Sequence, residues 1–209
     1  MIHLSNITKK YDHNTVLSNF SLSVNRNEFV CITGPSGAGK TTLLNIIGLI
    51  DKPDSGKLEI NENSFFSSRE KLQLRRTFFG YIFQNFLLLP DKTVKRNLEV
   101  VSFDNKSLKL NDMKDALEKV GLDSNYINKK ICELSGGEQQ KVAIARLLLK
   151  PFELVLADEP TGNLDAQSKH DIIDIFLEMK HNGKTIICVT HDEDVANSAD
   201  RVIELKKYK

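Results

Sequence analysis

Apolar and polar residues alternate along the first part of the chain with the period of extended structure. Ile2 to Thr8 reads as a half-buried strand, and Val16 to Val24 repeats the pattern through Val16, Phe20, Leu22 and Val24, with Asp12-His13-Asn14 as the turn between them. Both are expected to join the sheet that carries the next apolar run, Phe29 to Thr33. A second apolar run, Leu43 to Ile47, follows at helical spacing, and Asp51 to Gly56 breaks the chain before a short strand, Lys57 to Ile60. Arg69 to Arg76 predicts a short helix and Phe79 to Phe83 a strand ending at Gln84. From 85 to 150 the pattern becomes helical. Asn111 is expected to cap a helix that buries Met113, Ala116, Leu117 and Val120 and stops at Gly121. Strands return at Leu154 to Ala157, Thr185 to Thr190 and Val202 to Leu205, separated by a helix around Ser168 to Lys180, the break Asn182-Gly183, and a short helix. Alternating strands and helices predict an α/β fold with a mainly parallel sheet.

Between the Phe29–Thr33 strand and the following helix stands Gly34-Pro35-Ser36-Gly37-Ala38-Gly39-Lys40-Thr41-Thr42. Strand, glycine loop and helix are the setting in which G-x-x-x-x-G-K-[ST] implies phosphate binding. Gly34, Gly37 and Gly39 let successive amides turn inward around phosphate oxygens. The helix opening at Lys40 directs its unpaired amides and positive dipole end at the same anion. Lys40 adds a full charge, and the Thr41 hydroxyl is placed to ligate Mg²⁺.

Asp158 and Glu159 end the buried Leu154–Ala157 run, where open α/β sheets bind ligands. Asp158 is expected to hold Mg²⁺ opposite Thr41, and Glu159 to orient or deprotonate an attacking water. Ser135 and Glu138 form a capping-box pattern at the start of a helix running to Lys150. Adjacent Gly136 and Gly137 weaken that first turn, so their bare amides suggest a second anion site.

Composition narrows the classes. The chain has 209 residues, enough for one substantial core, with 29 basic against 28 acidic side chains. A net charge of +1 argues against a broad nucleic-acid footprint. Lys206-Lys207-Tyr208-Lys209 reads as a frayed end. Cys31, Cys132 and Cys188 form no C-x-x-C pair; Cys31 and Cys188 lie in strand-like runs and are expected to be small core residues in a reducing compartment. Neither a signal peptide nor an apolar run of roughly 18 residues is visible, so a soluble, cytoplasmic chain is expected, reaching a membrane only through a partner.

With these motifs in this order the chain resembles the ATP-binding subunits of ATP-binding-cassette (ABC) transporters from Ile2 to Leu205. Gly34–Thr41 is similar to the family's Walker A motif, Gln84 to its Q-loop glutamine and Leu134–Gln140 to its signature motif. Leu154–Glu159 is similar to its Walker B motif with the catalytic glutamate, Asn163-Leu164-Asp165 to its D-loop, and His191 to its switch histidine. Tyr11 falls where the family stacks an aromatic ring on adenine.

The resemblance implies a P-loop NTPase fold with an N-terminal antiparallel β portion, a core of about 1–84 and 151–209, and an inserted helical subdomain of about 85–150. It also implies a homodimer closed head to tail around two ATP with Mg²⁺, each chain offering Ser135, Gly136, Gly137 and Asp165 to its partner's nucleotide. Catalysis would rest on Glu159, His191, Gln84 and Lys40, with Thr41, Gln84 and Asp158 around the metal. The wording Asp158 to Asp165 resembles the macrolide, antimicrobial-peptide and lipoprotein-release subgroup. The implied role is to drive a separate permease from the inner face of the cell membrane. The alternative is an envelope signalling or division complex that transports nothing. An ABC ATPase acting on DNA or ribosomes is disfavoured by the lack of coiled coils and of a second cassette. Lys141 stands where the family often has arginine. Phe86 to Pro90 is too apolar for an exposed loop and is read either as core or as the lining of a partner groove. His3, His13, His170 and His181 are expected at the surface.

Overall fold

The computed structural model describes residues 1–12, 14–103, 108–162 and 164–207. His13, Asn163, Tyr208 and Lys209, singled out above, lie outside them. Two sheets form. A five-stranded sheet runs in the order β5-β6-β7-β3-β8. Its strands are β3 (Phe29–Thr33), β5 (Phe79–Ile82), β6 (Leu154–Asp158), β7 (Thr185–Val189) and β8 (Arg201–Glu204), every pairing parallel. Side chains of β3, β6 and β7 alternate between two hydrophobic clusters. Phe29, Val155, Ala157, Ile186 and Cys188 join one, while Val30, Ile32, Leu154, Leu156, Ile187 and Val189 join the other. Burial on both faces explains why these strands are continuous apolar runs.

The first two strands correct an expectation. β1 (Ile2–Tyr11) and β2 (Asn14–Val24) do not enter the sheet of β3; with β4 (Ser55–Ile60) they make a separate antiparallel sheet in the order β2-β1-β4. Their alternation gives one buried face, and that face, Ile2, Leu4, Ile7, Leu17, Leu22, Leu58 and Ile60, packs onto the same cluster as the helix after the glycine loop. A one-faced strand suits an outer layer better than the interior of a sheet covered on both sides.

That helix, α1 (Lys40–Ile47), buries Leu43, Leu44, Ile46 and Ile47. α2 (Ser68–Thr77) carries a Ser67–Glu70 capping box. Between β5 and β6 the described elements are all helical: α3 (Val94–Leu98), α4 (Leu110–Lys119), α5 (Gly136–Leu148) and short 3-10 turns at Glu99–Phe103, Ser124–Asn128 and Ile131–Glu133. They share the Phe29–Val155 cluster with α6 (Ala166–His181). α7 (Glu193–Asn197) precedes β8. α4 buries Met113, Ala116 and Leu117 and stops at Gly121, whose φ is 72°, but its N-cap is Lys109 and not Asn111. The Asp112 carboxylate accepts the Lys109 amide at 2.7 Å, and that bond starts the helix two residues early. Among the described residues no helix is long and apolar enough to cross a membrane. Cys31 and Cys188 face each other across β3 and β7, both fully buried, while Cys132 is exposed. His3, His170 and His181 are at the surface.

Candidate functional site

The carboxyl ends of β3, β5, β6 and β7 open onto one cleft of about 630 Å³. It is lined by Gly34, Ser36, Gly37, Gly39, Lys40, Thr41 and Thr42 from the glycine loop, Gln84 after β5, Asp158 and Glu159 from β6, His191 after β7, and Tyr11 and Val16 from the outer sheet. Residues spread over 180 positions are thus gathered at the edge where parallel α/β sheets bind ligands.

The loop is built for a backbone-lined anion site. Gly39 caps α1 at φ 92° and offers no side chain to the helix's first amides. A side chain at Gly39 would also run into Val16, its Cβ lying 2.7 Å from Val16 Cγ1. By contrast, side chains of Ser67, Thr93, Ser135, Asp165 and Asp192 cap the helices that follow them. Ala38 turns into the core and Pro35 outward; neither lines the cleft. Lys40 Nζ donates to the Gly34 and Pro35 carbonyls at 2.8 and 3.3 Å, which holds the ammonium across the loop.

Asp158 is half-buried, and burial pushes its carboxyl above the ordinary range against a hydrogen bond from Thr41 that pulls it down. Glu159 sits in a left-handed conformation, φ 47°, that is strained for a residue with a side chain. Its amide donates to Val189 O at 2.8 Å, and its Oε2 accepts from Thr190 Oγ1 at 3.0 Å and His191 N at 3.3 Å. His191 Nδ1 lies 3.0 Å from the same oxygen; the imidazole is 75% exposed and Glu159 only 14%. The carboxylate is therefore held by Thr190 and His191, with the exposed imidazole of His191 standing beside it at the cleft.

Tyr11 stands at the rim, 45% exposed. Its hydroxyl donates to Asp51 at 2.6 Å, Lys9 Nζ donates to the other Asp51 oxygen at 2.9 Å, and the Lys9 ammonium lies 5.0 Å from the Tyr11 ring centroid. The Lys9 hydrogen bond, then that from Tyr11, holds the Asp51 carboxyl below its usual range. The ring is thus anchored through its hydroxyl, with the Lys9 ammonium over it, at the rim of the cleft.

Ser135, Gly136, Gly137 and Asp165 do not line this cleft. Ser135 caps α5 in the expected box, Ser135 N donating to Glu138 at 2.7 Å and Glu138 N to Ser135 Oγ at 3.2 Å. The structure supplies a packing reason for one of the two glycines: any Cβ on Gly137 would overlap the Ser168 side chain of α6. Gly136 is exposed and meets only Leu164 at 3.6 Å. Lys141 forms an ion pair with Asp171 at 2.6 Å, so it ties α5 to α6. In the Phe86–Pro90 stretch Phe86 and Leu88 pack on the core, as one reading expected, while Leu87 and Leu89 are half exposed. Sequence reasoning missed Arg146, which donates to the Leu87 and Phe86 carbonyls and secures that loop beside Gln84.

Comparison with known proteins decides the family. The family model described as ABC transporter matches residues 17–162. The chain belongs to the ABC transporter family. It is 41% identical to the uncharacterised ABC transporter ATP-binding protein YvrO of Bacillus subtilis, over 99% of this chain and 93% of that protein. It is 43% identical to the macrolide export ATP-binding/permease protein MacB of Campylobacter jejuni, covering 99% of this chain but 33% of that one. The cassette thus spans about a third of the MacB protein it matches. Among solved structures, the dimeric post-hydrolysis ATP-binding cassette MJ0796, bound to ADP and Pi, superposes with a TM-score of 0.89 at 35% identity, over 100% of this chain and 97% of that one. This ABC cassette is therefore an ATPase, with the expected α/β P-loop architecture.

Proposed function

We propose that the cassette binds ATP with Mg²⁺ in the Gly34–Thr42 cleft. Two copies then close head to tail around two nucleotides, and hydrolysis drives a separate membrane permease that exports or extracts a peptide, antibiotic or lipid-linked substrate. The observation that carries this reading is the division of the motifs: the cleft gathers Tyr11, Lys40, Thr41, Gln84, Asp158, Glu159 and His191 but leaves out Ser135, Gly136, Gly137 and Asp165. A half-site in each chain, completed by the other, accounts for both sets. The dimeric state of the MJ0796 cassette and the joined ATP-binding/permease of MacB support the two kinds of partner.

The residues present suit a hard divalent cation. Asp158 and Thr41 are hydrogen-bonded neighbours with oxygen donors, and Gln84 opens onto the same cleft. Asp158 and the nucleotide's own phosphates would supply the charge around such an ion. Bound there, Mg²⁺ would neutralise charge developing on the phosphate oxygens. Lys40 and the α1 amides bind and orient the phosphates, Glu159 takes a proton from the attacking water, and His191 contacts the terminal phosphate.

Tyr11 supplies the base contact. Tyr11→Ala is expected to weaken ATP and GTP alike by about 10-fold, because stacking on an aromatic face contributes about 1–3 kcal/mol with little base preference. Titration of both nucleotides checks it, with Tyr11→Phe as control. The wider reading is tested by affinity capture of Glu159→Gln with ATP from gently solubilised membranes of the source cell. A multispanning protein in stoichiometric amount supports the permease partner; recovery of soluble proteins or nucleic acid alone removes it.

A further inference from the structure

Gln140 lies in α5, fully buried, in the helix opened by Ser135. Its Nε2 donates to the carbonyl of Pro160 at 2.8 Å, and its Oε1 has no hydrogen-bond partner among the described residues. Buried glutamines are uncommon, and a half-satisfied one is unfavourable in a position where a methionine would fill the same space. Packing therefore does not explain the residue. Its one bond falls on the residue after Glu159, in a turn that needs restraint because Glu159 is held at φ 47°. Thr190 Oγ1 and His191 N hold the Glu159 carboxylate directly, and further restraint on the turn comes from Glu159 N to Val189 O, Gly162 N to Glu159 O, and Thr161 Oγ1 to Asp192. Gln140 is the clamp that reaches this turn from α5.

We propose that Gln140 is a positioning residue for hydrolysis: its amide fixes the Pro160 carbonyl and so the placement of the Glu159 carboxylate. The inference rests on Glu159 being the hydrolytic group. The same bond ties the Ser135 helix, which would serve the partner's nucleotide, to the turn that serves this chain's own. The two half-sites of one cassette are thereby held in register.

The test is a double-mutant cycle on the full chain. Gln140→Met keeps the volume and removes the donor. Its kcat for ATP hydrolysis should fall about 10-fold, since small misplacements of a reacting group produce losses of that order, while the ATP Kd stays within about 2-fold. In a Glu159→Gln background the added Gln140→Met should change the residual rate less than about 2-fold, because the group it positions is already gone. General damage to the fold would instead lower both rates alike. An unchanged kcat in Gln140→Met, or an equal fall in both backgrounds, overturns the proposal. Undiminished turnover in Glu159→Gln alone overturns the reading beneath it, and the two failures are thus distinct. Should Gln140→Met not fold, Gln140→Leu takes its place; if neither folds, the side chain is a structural support and the proposal falls.

Discussion

Glu159→Gln is expected to lower the rate of ATP hydrolysis by about 10²- to 10⁴-fold, the usual range for losing a positioned general base. ATP binding should change less than about 3-fold, because the phosphate contacts expected of the cleft come from Lys40 and from backbone amides of the glycine loop and α1. The substitution is conservative in shape. The glutamine oxygen can still accept from Thr190 Oγ1 and His191 N, which bind Glu159 Oε2 at 3.0 and 3.3 Å. The strained turn is also held by main-chain bonds that the variant keeps, Glu159 N to Val189 O and Gly162 N to Glu159 O. What disappears is the capacity to take a proton. Phosphate release measured beside nucleotide titration separates the two effects, and size-exclusion chromatography with ATP should show the closed dimer accumulating. Turnover near that of the unsubstituted protein would remove Glu159 from the chemistry.

The site was legible wherever chemistry demands a backbone arrangement as well as a side chain. The glycine loop could be read from Gly34 to Thr42 because strand, glycines, lysine and helix constrain one another, and Asp158-Glu159 because a buried apolar run must end in polar groups somewhere. Pairing partners were less legible. The alternation in β1 and β2 shows that one face is buried but does not identify the layer, and so both strands were expected in the wrong sheet. Asn111 matched a cap by residue type, yet Asp112 reaches back to Lys109 and starts the helix sooner. Gly137 raised an anion site from helix propensity alone; its clash with Ser168 depends on two helices whose approach no local pattern encodes. Gln140 reads in the sequence only as the end of the signature motif, since its bond to Pro160, 20 residues on, has no local signal.

Ser135→Arg is expected to leave ATP binding to the single chain within about 2-fold while abolishing ATP-driven dimerisation. Ser135 is exposed, caps α5 and stands outside its own chain's cleft, so the variant leaves every group around the P-loop untouched. It should nonetheless place a bulky cation where a partner's nucleotide would meet the α5 amides. Losing the cap alone would lower stability by about 1 kcal/mol, since Glu138 N loses its Ser135 Oγ acceptor. For a chain of this length that corresponds to about 2–4 °C in Tm. Ser135→Ala shares this cap loss without the added bulk and serves as the reference. Both variants should bind nucleotide and unfold within a few degrees of each other. In the Glu159→Gln background, Ser135→Ala should retain a weakened ATP-dependent dimer and Ser135→Arg should remain monomeric at concentrations about 100-fold above those at which Glu159→Gln alone dimerises, a difference of about 2.7 kcal/mol. Sedimentation with and without ATP reads this directly. If Ser135→Arg dimerises as readily as its parent, the residues around Ser135 do not close the partner's site, and Gly137 alone keeps a structural explanation, in the α5–α6 contact at Ser168.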